Sequence, residues 1–184
     1  MIWLSFDTET TGIDRPMLVE VGAVLMEDTR ERASVSLLVR PDGWIVPPQA
    51  TAVHGVSHSA AVALGVPLVV AVAALTNLWA NADFRVAHNL EFDEKVVAAA
   101  CGRLGRTSSL PTPPGRCTMT MAAPILALPP TERMIAAGRG DQPKNPSLAE
   151  CYHHFFGEEP PDAHSALADA RAAARVYLAI LERL

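Results

Sequence analysis

Ile2-Trp3-Leu4-Ser5-Phe6-Asp7-Thr8-Glu9-Thr10-Thr11-Gly12 opens the chain with an apolar run that ends in two carboxylates and a turn. Ile2 to Phe6 reads as a buried strand. Residues two apart in an extended chain point to the same face, so Asp7 and Glu9 project together. Two adjacent carboxylates repel unless a cation lies between them, and magnesium or manganese prefers such hard oxygen ligands. A lone Asp-x-Glu also decorates many strand ends, so its meaning depends on what the rest of the chain brings to it.

Leu18 to Met26 and Ala33 to Val39 read as two more strands, and their short connections favour antiparallel neighbours. A Pro-rich loop (Pro41, Pro47, Pro48) leads to a helical pattern from Ser59 to Asn81, interrupted near Gly65-Val66-Pro67. Phe84 to Ala87 is a short strand. Asn89 can cap a helix to about Leu104, with Asp93, Val97, Ala100 and Leu104 on one side and Gly105 as a stop. Residues 106–115 read as loop, followed by a short strand near Cys117, a helix from Met119 to Leu128 and an irregular stretch from Pro129 to Pro146. Ser147 caps a helix through Phe156, and Ser165 caps the last one. Antiparallel strands followed by alternating helices and strands imply an α/β fold with a mixed central sheet flanked by helices.

At 184 residues and 49% hydrophobic composition, the chain suits one core and a single domain over 1–184. Its most apolar region, Pro67 to Leu78, is too short to span a bilayer, and no basic, cleavable leader precedes Ile2. A cytoplasmic protein is expected. Three widely spaced cysteines, Cys101, Cys117 and Cys151, suit reduced thiols. A net charge of −5 and a pI near 5.6 argue against coating nucleic acid by bulk electrostatics, though not against gripping it locally.

Two further segments carry candidate chemistry. In Val86-Ala87-His88-Asn89-Leu90-Glu91-Phe92-Asp93, Asp93 sits in the first turn of a helix, where a carboxylate also gains from the dipole alone. In His164-Ser165-Ala166-Leu167-Ala168-Asp169, Asp169 shares a helical stripe with Ala173, Val176 and Ile180. A charge on that apolar stripe needs a partner, and a cation is a sufficient one. Arg171 and Arg175 lie off the stripe and read as solvated. His164 stands just before the helix, where the chain can turn its imidazole toward a substrate.

Jointly, the three segments resemble the exonuclease motifs of the DnaQ-like 3′→5′ exonucleases, in the DEDDh branch of the DEDD enzymes. The tyrosine branch places a tyrosine four residues before the final aspartate, where this chain has Ser165. The likeness spans nearly the whole chain, since Leu18-Val19-Glu20-Val21-Gly22-Ala23 resembles the family's second strand and Val53-His54-Gly55-Val56 its loop before the first helix. The resemblance implies an RNase H-like fold with a mixed five-stranded sheet. It implies two Mg2+ ions, replaceable by Mn2+, with Asp7, Glu9 and Asp169 on the first, Asp7 also on the second, and Asp93 helping through water. His164 would be the general base. Thr10, Thr11 and Gly12 would meet the terminal nucleotide, with Val53, His54 and Phe92 lining its pocket.

The expected activity is release of nucleoside 5′-monophosphates from the 3′ end of single-stranded or frayed DNA. The alternatives are an exoribonuclease of the oligoribonuclease or RNase T kind and a non-catalytic nucleic-acid-binding module. Arg103, Arg106 and Arg116, with Arg133, Arg139 and Lys144, are candidate phosphate contacts. Glu91 has no assigned role, and the pairs His54/His58 and His153/His154 read as ordinary polar positions. Bacterial proofreading subunits carry a polymerase-binding tail after the last exonuclease helix. The sequence ends at Leu184, so a stand-alone enzyme is expected, with a polymerase partner possible only through the domain surface.

Overall fold

In a computed structural model, which describes residues 1–106 and 113–183, the opening strand continues well past Phe6. β1 (Ile2–Thr10) carries the Asp-x-Glu pair within the strand itself. β2 (Leu18–Glu27) pairs antiparallel with β1, and β3 (Arg30–Leu38) antiparallel with β2, as expected. β3 begins three residues earlier than its apolar residues suggest, because a two-residue turn at Asp28 and Thr29 lets Arg30 pair with Glu27 at once. β4 (Phe84–Ala87) and β5 (Gly115–Cys117) run parallel to β1 on its other side. The sheet order is β3-β2-β1-β4-β5, the expected mixed five-stranded sheet.

Eight helices are assigned among the described residues. α1 (Pro48–His54) falls inside the Pro-rich stretch read as loop; Pro48 suits a first helical turn, where no N–H is needed. The long helical pattern is divided, as expected, into α2 (His58–Leu64) and α3 (Leu68–Ala80). The break is fixed by pairing of Val66 with Val39 and by Gly65, where an added Cβ would lie 2.3 Å from the Ala61 carbonyl oxygen. α4 (Leu90–Arg103), α5 (Thr118–Leu126) and α7 (Leu148–Phe156) match their patterns to within two residues. Ser147 and Glu150 form a reciprocal capping box on α7. A five-residue α6 (Glu132–Ala136) interrupts the stretch read as irregular, and α8 (Ala166–Leu181) closes the fold. Residues 107–112, part of the expected Ser/Thr/Pro loop, lie outside the described residues.

The two sheet faces bury different clusters. Leu4 and Phe6 of β1 pack with Val72, Leu75 and Trp79 of α3 and Val96, Val97 and Ala100 of α4. Trp3 faces the other way and meets Phe84 and Tyr177 at centroid separations of 5.6 and 5.2 Å, joining β1 and β4 to α8. Such aromatic pairs add about 0.5–1.5 kcal/mol each beyond burial. The strand period therefore assigns Asp7 and Glu9 to the α8 face and Thr8 to the α4 face.

Candidate active site

β1 reaches beyond the end of β4, which pairs with it only as far as Ser5 opposite Val86. Past that point the Thr8 amide, on the side facing β4, has no strand to bond. Asp93 of α4 takes its place: Oδ1 accepts from the Thr8 amide at 3.1 Å and from the Thr8 hydroxyl at 2.7 Å. Asn89 starts α4 in the left-handed conformation (φ 67°) without the expected side-chain cap. That turn directs the first residues of α4 back over the strand end.

On the opposite face, Asp7, Glu9 and Asp169 come together. One carboxylate oxygen from each lies within 4.8 Å of the others, and all three groups are partly buried. Directly across the hairpin from Glu9 stands Glu20, which is almost fully buried. Burial pushes the Asp7 carboxyl well above the usual range, and repulsion from Asp93, Glu9, Asp169 and Glu20 adds to the shift. The same effects raise Glu9 to about 8, chiefly through burial and then Asp169. Burial likewise raises Asp93 to about 7, against the Thr8 hydrogen bonds, and raises Asp169 against the favourable effect of His164. Such a set of hard oxygen donors, repelling one another at close range, fits a divalent cation of the magnesium or manganese type.

His164 is exposed, adopts a left-handed backbone conformation (φ 69°), and donates its backbone N–H to Asp169 Oδ2 at 3.1 Å. Ser165 stands at the N-cap position of α8 without a side-chain cap bond. Asp93 is not among the three carboxylates within 4.8 Å. It stays close enough to be the strongest of the charges acting on Asp7.

The residues expected to line a nucleotide pocket are more varied. The Thr10 hydroxyl bonds within the turn to the Gly12 carbonyl at 2.8 Å, and the Thr11 hydroxyl accepts from the Met17 amide at 3.0 Å. Gly12 has φ 141°, a conformation that favours glycine. Val53 is exposed, Phe92 is half-buried against the α3–α4 core, and His54 is buried with its Nδ1 accepting from the Val56 amide. Burial lowers the His54 pKa, while the nearby Thr10 backbone opposes this without supplying Nε2 a hydrogen bond of normal geometry.

Several expected phosphate contacts have internal partners instead. Arg116 lies 3.9 Å over the Phe84 ring, Lys144 pairs with Glu150, and Arg103 donates to the Pro16 carbonyl. Arg106, Arg133 and Arg139 are exposed. Arg171 and Arg175, read as solvated, brace the fold through Glu31 and through Tyr152 with Glu158. Glu91 pairs with Lys95 one helical turn on, a surface role. The sequence reading did not single out Thr8, Glu20 or Gly22. The available signal for Glu20 was a lone charge within an otherwise apolar strand.

A mixed five-stranded sheet with a carboxylate triad at the β1–α8 junction defines a class of nuclease that hydrolyses nucleic acid. A family profile described as Exonuclease, of the RNase T type, matches residues 4–177, and the chain belongs to this DnaQ-like exonuclease family. Among solved structures, Exonuclease X in complex with 5′ overhanging duplex DNA is 26% identical, with a TM-score of 0.67 over 98% of this chain and 92% of that one. Exonuclease I from Methylocaldum szegediense is 19% identical (TM-score 0.76), over 99% of this chain and 40% of that one. Escherichia coli Exonuclease I in complex with a dT13 oligonucleotide is 18% identical (TM-score 0.73), over 99% of this chain and 41% of that one. The chain thus spans about two fifths of the Exonuclease I chains, which share its fold. No curated protein matches the sequence. Among the described residues no helix is long and apolar enough to cross a membrane.

Proposed function

We propose that residues 1–184 form a single exonuclease domain that removes nucleoside 5′-monophosphates from the 3′ end of DNA in the presence of a divalent metal. The observation that carries this reading is the approach of Asp7, Glu9 and Asp169 to within 4.8 Å. These three residues would hold one magnesium ion, and Asp7 with Asp93 would help to hold a second. When bound, the ions supply Lewis-acid activation of the attacking water and charge stabilisation at the leaving 3′-oxygen.

The chain's own groups supply the rest. The His164 imidazole takes the proton of the attacking water, a role that needs a nitrogen lone pair within reach of the reacting centre. Its exposed position at the mouth of α8, with its backbone tied to Asp169, supports this assignment. The backbone of Thr10, Thr11 and Gly12 meets the terminal nucleotide, since the two hydroxyls are engaged within the turn. Val53, His54 and Phe92 line the pocket for its base and sugar.

Likeness to Exonuclease X bound to 5′ overhanging duplex DNA favours DNA with an accessible 3′ end. A polymerase partner would dock on the outer surface, and the working compartment is the cytoplasm. The test is digestion of end-labelled single-stranded DNA, 5′ overhanging duplex and RNA, with and without magnesium. Magnesium-dependent release of mononucleotides from the 3′ end of DNA is expected. Preferential release from RNA would move the assignment to the exoribonucleases, and strand binding without release would make the chain a binding module.

A further inference from the structure

Glu20 belongs neither to the three-carboxylate group nor to the surface. It is 5% exposed, on the face of β2 that looks toward α8. Both of its oxygens are used: Oε1 accepts from the Ser36 hydroxyl of β3 at 2.8 Å, and Oε2 accepts from the Ala166 amide at 3.3 Å. Ala166 is the first residue of α8, whose leading amides have no partners within the helix. Ser165, at the position from which a side chain would normally satisfy them, makes no such bond. A carboxylate at this end also meets the positive end of the helix dipole.

Two residues along β2, Gly22 pairs with Asp7 and lies under the same turn of α8. A Cβ there would sit 2.0 Å from the Ala166 carbonyl carbon and 2.1 Å from the Leu167 nitrogen, so only glycine admits the helix this close. Gly22 sets the distance of approach, and Glu20 ties the first amide at that distance. The residues flanking this tie are His164 and Asp169.

We infer that Glu20 is a positioning residue: it caps α8 from the neighbouring strand and so fixes where Asp169 and His164 stand relative to Asp7 and Glu9. This rests on the exonuclease reading of those residues. The proposed effect is exerted through hydrogen-bond reach, since both oxygens engage protein donors, the Ser36 hydroxyl and the Ala166 amide.

Two conservative variants separate reach from charge. Glu20→Gln keeps the length; its carbonyl can accept from Ala166 while its amide donates to the Ser36 oxygen. Glu20→Asp keeps the charge but withdraws the acceptor by one methylene. At saturating magnesium, Glu20→Gln is expected to keep kcat within roughly threefold of the parent. Glu20→Asp is expected to lose about 10²-fold in kcat, as for a displacement of order 1 Å at a reacting centre, with KM for the strand unchanged. The reverse pattern would assign Glu20 a charge role at the site and overturn the inference, as would equal loss in both variants or full activity in both. Amide exchange over residues 164–170 provides a readout independent of catalysis. It should accelerate in Glu20→Asp and not in Glu20→Gln, and unchanged exchange in Glu20→Asp refutes the cap. Absence of nucleotide release by the parent protein would instead defeat the exonuclease reading, leaving the exchange result to decide the cap.

Discussion

At Asp7, burial and four neighbouring carboxylates all favour the protonated acid. The consequence for stability has a definite sign. Asp and Glu groups whose folded pKa is raised bind protons more tightly in the folded state, so their contribution is present below the unfolded pKa and is lost as pH rises through the folded one. With Asp93 near 7 and Glu9 near 8, the metal-free protein should lose thermal stability between about pH 4 and 8, measurable as a falling Tm in EDTA. Asp7→Asn should raise that metal-free Tm at alkaline pH while lowering nucleotide release by about 10³-fold or more, because several kcal/mol of metal-centred stabilisation depends on this group. His164→Ala should lower kcat by about 10²–10⁴-fold, with strand affinity measured in calcium held near the parent value. The approach of Asp7, Glu9 and Asp169 was legible in part, because the strand period puts the first two on one face and the helical stripe isolates the third, whereas the role expected of His164 came from the family likeness. Glu20 and Thr8 were not legible, since their importance arises from contacts with residues 146 and 85 positions away.

Elements with strong local signals were equally legible. β4 was bounded correctly by its short apolar run, and α7 by its Ser147 cap and apolar spacing. Ser147→Ala should cost about 1 kcal/mol by chemical denaturation without altering turnover, since α7 packs on the outer side of α8 through Cys151 and Tyr152. The short helices α1 and α6 were missed because five to seven residues carry too few turns for a periodic pattern, and proline-rich surroundings suggest loop. At the entry to α4 the expected position was right and the physical device was different: a left-handed Asn89 in place of a side-chain cap. The anchor is Asp93 on the buried edge of β1 that no strand pairs, so Thr8→Val, which removes the hydroxyl donor, should destabilise the fold by about 1–3 kcal/mol.

Across the whole molecule, the mixed sheet order and its two buried faces follow from the run of strands and helices, as the family likeness implied. What the sequence did not disclose was how tightly α8 is applied to the sheet: Gly22 permits contact, the Ser5 hydroxyl bonds the Ala170 carbonyl at 2.7 Å, and Arg171 reaches Glu31. Because the carboxylates repel in the absence of a cation, magnesium at about 100 times its Kd should stabilise the protein by roughly 2.7 kcal/mol. For a chain of 184 residues this is a rise in Tm of about 5–10 °C, checked by thermal denaturation with and without the metal. No rise at saturating magnesium would mean that the carboxylates do not form a metal centre.

The junction of β1 with α8 also sets the moment at which such a centre exists. Asp169 follows Glu9 by 160 residues in the chain, so synthesis delivers the parts of the donor set at different times, and neither part holds it alone. The candidate site of a growing chain therefore stays divided until α8 docks on the sheet. On the proposed reading, docking of α8 is what arms the site.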